Sequence, residues 1–227
     1  MNFEIQNRID AVRDKIKDAA ILSKRDPSAI KLIVVTKYAS NHETLEAIRL
    51  GSNHIGESRV QEAISKKSLI PPTVQIHMIG PLQSNKVKHC IDLFALIHSI
   101  DRLSLMQKLN EQARAHNKIV KGLLQVNIGD DPNKSGCKIS DCKNLLKEGE
   151  LLNFLKIEGL MTVLPYNVEP EYSRVYYKEL LNLKNELNQI GLEKNRLNEI
   201  SAGMSHDYHI AIEEGATMVR VGSAIFK

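Results

Sequence analysis

The sequence has no tryptophan, and phenylalanine and tyrosine bring its aromatic content to only 4% of 227 residues. Stacking platforms for single-stranded nucleic acid are therefore scarce. Charge of one sign is scarce too: 31 basic residues face 27 acidic ones, for a net charge of +4. The densest basic stretches, "SKK" at 65–67 and "NKVKH" at 85–89, fall short of the clustered excess that generic nucleic-acid binding shows. No nucleic-acid partner is expected. The cysteines, Cys90, Cys137 and Cys142, form no C-x-x-C pair, and no histidine stands at ligand spacing from Cys137 or Cys142. Reduced thiols are expected, with neither a disulfide framework nor a metal site. Nowhere do 18 apolar residues run together, and the opening "MNFEIQNRIDAVRDKIKDAA" is too charged for a signal peptide. The expectation is a soluble cytoplasmic protein with no membrane partner.

What is present is a repeated alternation. Phe3, Ile5, Ile9, Val12, Ile16 and Ala20 recur at helical spacing, which predicts an N-terminal helix within 1–25. Short apolar runs then predict strands at 31–37, 53–57, 74–80, 93–98, 122–128, 156–163, 199–203 and 217–221. Helical patterns fill most gaps, at 41–50, 58–67, 84–90, 101–117, 139–148, 170–190 and 206–214, with Asn41, Ser84, Asp101, Ser140 and Ser205 as candidate caps. Runs such as "LIVV" and "LFALI" suit strands buried on both faces. A doubly wound open sheet normally carries a glycine-rich turn after its first strand, whereas "KYASNHE" contains no glycine. The predicted fold is α/β, a (β/α)8 TIM barrel formed as a single domain over 1–227, with the 1–25 helix packed on the barrel.

Such barrels carry their chemistry at the C-terminal strand ends. Polar residues gather there: Lys37, Glu57 with Ser58, the segment "HMIGPLQSNK", His98, Asn127, Thr162, "AGMS", and Arg220 with Gly222 and Ser223. Lys37 closes the run "LIVVTK". An amine partly stripped of water there has a lowered pKa and can attack an aldehyde; the plainer alternative is a lysine that snorkels to solvent. "AGMSHD" places Gly203, Met204 and Ser205 at a helix start, and "RVGSA" places Gly222 and Ser223 just beyond the last strand. Loops after the seventh and eighth strands are the usual phosphate site of this fold, although capped helices and tight turns would use the same residues. Arg220, if buried, needs a phosphate, a carboxylate or a heteroaromatic nitrogen as partner. An imine-forming lysine, a phosphate cup and an arginine at ring distance together suggest pyridoxal 5'-phosphate (PLP).

The stretches "VVTK", "IGESRVQEA", "HMIGPLQSNKVK", "HSIDR", "QVNIGDDPNKSG", "IEGLMTV" and "GMSHDYHIAIEEGATMVRVGSAIF" span nearly the whole chain. In these it resembles the pyridoxal phosphate homeostasis proteins, single-domain relatives of the alanine racemase N-terminal barrel. The resemblance implies a Schiff base of PLP on Lys37, phosphate contacts from Ser205 and the turn at Gly222 and Ser223, and Arg220 against the pyridine nitrogen, with Met204 beside Ser205 as a further cofactor-binding residue. It implies vitamin B6 homeostasis by a monomer with PLP-dependent apoenzymes as recipients and no catalytic residue; the alternative is a racemase or lyase of low activity. Ser58 and Arg59 stand where the family commonly has asparagine and tyrosine. His77, His98, Lys86 and Lys134 are secondary candidates. His77 and His98 are equally readable as neutral core histidines.

Overall fold

A computed structural model describes residues 3–164 and 169–227; Met1 and Asn2 of the expected 1–25 helical segment lie outside that range. Eight parallel strands close in sequence order: β1 Lys31–Val35, β2 His54–Glu57, β3 Gln75–Met78, β4 Leu96–Ile100, β5 Val120–Gln125, β6 Leu155–Met161, β7 Glu199–Ser201 and β8 Met218–Val221. β8 returns to β1 in register, with Arg220 beside Ile33. The helices are α1 Phe3–Leu22, α2 Asn41–Arg49, α3 Val60–Lys67, α4 Leu103–Ala115, α5 Ile139–Glu150, α6 Pro170–Asn188, α7 Tyr208–Glu213 and α8 Ser223–Phe226. The segment Ser84–His89, expected as a helix, is a 3-10 turn. The barrel expected from the sequence is therefore the fold observed.

Differences lie at element ends. β1 stops at Val35, so Thr36 and Lys37 fall in the following turn. β4 begins at Leu96, because Leu93 and Phe94 are buried in the turn that precedes it. α2 is capped by Ser40, not Asn41: Ser40 Oγ accepts from the Glu43 backbone N–H, and the Glu43 carboxylate accepts from the Ser40 N–H, a reciprocal capping box. α4, α5 and α7 start after Arg102, Lys138 and Asp207, with no side-chain cap of their own helix.

One apolar layer lies between barrel and helices; Ile5, Ile9, Val12 and Ile16 bring the inner stripe of α1 into it. A second cluster, of Ile33, Leu96, Leu123, Met161 and Met218, comes from five different strands of the barrel wall. Polar side chains are also buried among the strands. His54 Nδ1 lies 3.0 Å from His77 Nε2, His77 Nδ1 lies 2.9 Å from His98 Nε2, and His98 Nδ1 lies 2.9 Å from Ser201 Oγ. His77 and His98 are 2% and 0% exposed, so of the two sequence readings the core histidine is the one the structure shows. Cys90, Cys137 and Cys142 are buried free thiols, and burial pushes Cys90 up to about 12.

Burial first, and then the charges of His54 and Lys31, push His77 down to about 3. Burial first, followed by His77, Arg220 and Lys31, drives His98 well below the ordinary histidine value. Both rings are neutral in the folded protein at neutral pH. Once unfolded they titrate near 6.5, so below that pH the unfolded chain binds more protons and folding weakens. The expected outcome is a fall in urea stability that starts near pH 6.5 and costs about 1.4 kcal/mol per histidine for each further pH unit. Denaturation curves at pH 7.5, 6.0 and 5.0 check this; equal midpoints down to pH 5 would show that the two rings are already charged in the fold.

Candidate functional site

At the C-terminal end of the barrel is a cavity of about 830 Å³, and Lys37, Met204, Ser205, Arg220, Gly222 and Ser223 all lie in its wall. These six come from the loops after β1 and β7 and from the end of β8 and the turn beyond it. The barrel closure brings them together, since β8 pairs with both β1 and β7.

Lys37 leaves the barrel from a fixed point. The residue before it, Thr36, is fully buried, and its Oγ1 donates to Glu57 Oε1 at 2.5 Å. Lys66 reaches in from α3 and donates both to the Thr36 carbonyl at 2.7 Å and to Glu57 Oε1 at 2.8 Å. Glu57 has no exposed surface, so this ion pair is sealed from water. Truncating either member of such a pair leaves an uncompensated buried charge, a loss of about 3–5 kcal/mol. Lys66 belongs to "SKK", one of the densest basic stretches of the sequence. Lys37 itself is exposed, so of the two sequence readings the lysine that reaches solvent is the one the structure shows. The strand ends two residues earlier, and the side chain stands over the ring of Tyr38, with Nζ 5.1 Å from the ring centroid. Lys227 Nζ lies 5.9 Å from the same centroid.

The two C-terminal loops are tied to each other. Gly203 has φ +85°, and a Cβ there would come within 2.7 Å of Tyr208 Cα, so both dihedral and space demand glycine. Asp207 folds the segment after it: its Oδ1 accepts from the Met204 N–H at 2.7 Å and its Oδ2 from the Tyr177 hydroxyl at 2.6 Å. Burial first, then the Asp207 charge, raises Tyr177 above its ordinary value. Met204 and Ser205 therefore occupy a turn ahead of α7, not the helix start expected at 206. Ser205 Oγ accepts from the Gly222 N–H at 3.4 Å and the Ala224 N–H at 3.2 Å, bridging this turn to the start of α8. With its lone pairs so engaged, the Ser205 hydroxyl has its proton left to donate.

Arg220 reaches the cavity from inside the barrel and is 4% exposed. Nη1 donates to Ser201 Oγ at 2.5 Å and Nη2 to the Thr162 carbonyl at 2.7 Å. Among the described residues no carboxylate lies within ion-pairing distance of it. Burial lowers it to about 10, partly opposed by Tyr177 and Asp207, so it stays charged at neutral pH. Two of its five donors are occupied, both by neutral oxygens. A buried cation held in this way favours an anion or a strong neutral acceptor in the space it faces.

Of the secondary candidates, Lys134 lies in the wall, while Lys86, His77 and His98 do not. Ser58 also lines the cavity, whereas Arg59 is turned outward and paired with Glu62 at 3.3 Å. Among the described residues no group of three or more histidine, cysteine or acidic side chains is placed to hold a metal ion. Sequence reasoning missed Ser201, Tyr177, Lys66 and the loop-shaping part of Asp207. Thr162 and Glu57 carried a signal, their positions at the ends of predicted strands.

Comparison with known proteins gives this geometry its context. Residues 8–227 match the model of the alanine racemase N-terminal domain. A pyridoxal phosphate homeostasis protein of Synechocystis is 40% identical over 202 residues, covering 88% of this chain and 92% of its own. The protein of that name from Aquifex aeolicus is 36% identical, covering 96% of each. The structure of PipY from Synechococcus elongatus with PLP bound superposes with a TM-score of 0.86 at 30% identity, covering 98% of this chain and all of that one. Alanine racemase of Clostridium difficile shares the fold, with a TM-score of 0.75 at 17% identity over 99% of this chain and 56% of its own. The chain belongs to the pyridoxal phosphate homeostasis proteins of the alanine racemase N-terminal domain family.

Proposed function

We propose that this protein binds PLP in the cavity at the barrel mouth, linked as an imine to Lys37, and acts in the storage and delivery of that cofactor within the cytoplasm. The observation that carries the reading is Arg220, a buried cation without a carboxylate partner among the described residues, in the wall of the same cavity as an accessible lysine amine. PLP, when bound, supplies an aldehyde that condenses with amines and a pyridine ring that can withdraw electrons.

The chain's own groups suit each part of that molecule. Lys37 presents an amine on a turn anchored by the Glu57–Lys66 pair. Ser205 and the Gly222–Ser223 turn offer a hydroxyl and small-residue backbone to a phosphate, and Met204 stands next to them in the wall. Arg220 can donate to a pyridine nitrogen but takes no proton from it, so the nitrogen stays unprotonated and the ring a weak electron sink. Tight holding with weak activation suits a carrier that hands PLP to apoenzymes. A monomer suffices for this, because every group named comes from one chain.

Borohydride reduction of PLP-treated protein, followed by peptide mass analysis, tests the assignment. The phosphopyridoxyl group is expected on the peptide containing Lys37, and its absence there would overturn the reading. Saturable exchange of the α-proton of added amino acids in heavy water would instead reveal a racemase or lyase. Lys37→Ala is expected to lose the covalent adduct while keeping wild-type circular dichroism and urea stability, since an exposed turn side chain adds little packing. Ser205→Ala is expected to weaken PLP binding about tenfold or more, the worth of a hydrogen bond to a charged group, and to leave pyridoxal, which lacks the phosphate, almost unaffected. Equal losses for the two ligands in titration would place Ser205 away from the phosphate.

A further inference from the structure

The proposed function leaves a row of buried polar side chains without a task. His54, at the start of β2, is half-buried; His77 and His98 are buried; Ser201 has no exposed surface. Their contacts run without a gap from His54 through His77 and His98 to Ser201, at 3.0, 2.9 and 2.9 Å, and end on Arg220 at 2.5 Å. His98 on β4 and Ser201 on β7 meet across the inside of the barrel.

The arginine gives this row a direction. A guanidinium only donates, so Ser201 Oγ must accept from it. The serine proton then has one remaining neighbour among the described residues, His98 Nδ1, which accepts it. Each neutral imidazole donates through one nitrogen and accepts through the other. His98 therefore carries its proton on Nε2 and gives it to His77 Nδ1; His77 carries its proton on Nε2 and gives it to His54 Nδ1. One permanent charge fixes the tautomer of three rings.

We propose that Ser201, His98, His77 and His54 are positioning residues for Arg220, one directed chain of neutral groups whose outermost ring, His54, makes the hold on the guanidinium sensitive to pH. A proton added to His54 at Nδ1 places a donor where His77 requires an acceptor. The last link breaks, the rings behind it lose their imposed tautomer, and the Ser201 hydroxyl loses its fixed direction beside Arg220. No bond other than N–H and hydrogen bonds changes, and the added proton comes from solvent.

The charged groups around the chain keep its inner part neutral and leave the outer end addressable. His54 faces Lys31 of β1 and Glu199 of β7, which are themselves paired at 2.5 Å; burial and Lys31 lower its pKa while Glu199 raises it. His77 feels His54 and Lys31, and His98 feels His77, Arg220 and Lys31, all of which oppose a second charge. Arg220 itself is approached by Tyr177 from α6 and by Asp207 just before α7. His54 is thus the ring that titrates most readily, and it does so at the far end of the barrel from the cavity.

Nitrogen-15 NMR of the purified full-length protein tests the chain without any ligand. His77 and His98 are expected to show a protonated Nε2 and a bare Nδ1 at pH 8, a pattern that is lost below the midpoint of His54, and the Arg220 Nε–H resonance is expected to shift with that midpoint. In His54→Gln that shift disappears; in Ser201→Ala, His54 still titrates but Arg220 no longer follows it. Either inner histidine protonated on Nδ1 at pH 8, or an Arg220 shift that persists in His54→Gln, overturns the proposal. The tautomer measurement decides the matter in wild type even where a variant fails to fold. The consequence for ligand rests on the PLP reading above: wild-type affinity for PLP is expected to fall about threefold across the His54 midpoint, the size of one weakened hydrogen bond, and to stay level in His54→Gln. A level wild-type profile overturns the coupling. Wild type that binds no PLP at all, with the NMR pattern intact, counts against the proposed function and not against the chain.

Discussion

A positive charge that persists at neutral pH, placed inside a barrel without a counter-ion among the described residues, is the constraint around which the mouth of this protein is arranged. Arg220 sits buried on β8 and meets neutral oxygens on its protein side. The nearest acids act at a distance: Asp207 spends its carboxylate on the Met204 N–H and the Tyr177 hydroxyl, and so shapes the loop instead of quenching the arginine. The fold thereby keeps an electrostatic demand open toward the cavity. That demand is a source of affinity for a ligand with a suitable acceptor, and it costs the empty protein some stability.

The opposite treatment is given to the lysines. Lys66 is buried and committed to Glu57 and the Thr36 carbonyl, while Lys37, one residue beyond Thr36, is exposed and stands over an aromatic ring. One lysine fixes the turn from which the other presents its amine. The arrangement separates the task of holding the backbone from the task of presenting an amine, and it explains why a charged residue can follow an apolar strand with no penalty of burial. Proximity to Tyr38 and Lys227 places a second positive charge near the same ring, which favours anionic ligands approaching the mouth.

The sequence made the barrel legible because its strands are buried on both faces and read as continuous apolar runs, each followed by a helical period. It made the loops after β7 and β8 legible because glycine and small hydroxyl residues cluster there for steric reasons. It could not reveal contacts made across the closed barrel. Ser201 and His98 stand 103 residues apart, and nothing in either segment marks the other as its partner. Lys66 lay in a stretch whose composition says surface, yet the helix turns that one residue inward. Lys37 stays open to two readings in the sequence for a related reason: "LIVVTK" shows an apolar run but not where the pairing with β2 and β8 ceases, and that end decides between a desolvated amine and an exposed one. Helix caps failed similarly, since Ser40 and Asn41 are both good capping residues and only geometry chooses between them.

α1 lies outside the barrel against α7 and α8, with an Arg8 guanidinium N–H donating to the Ile225 carbonyl and Arg25 donating to the carbonyls of Ile212 and Ala216. α1 is thus built to clasp elements that follow it by about two hundred residues in the chain. Until they arrive, its apolar stripe has no proper seat, and the strand beside it lacks one of its two neighbours. Completion of the barrel and assembly of the cavity then coincide, because Ser205, Arg220, Gly222 and Ser223 lie in or beside the elements that seat α1.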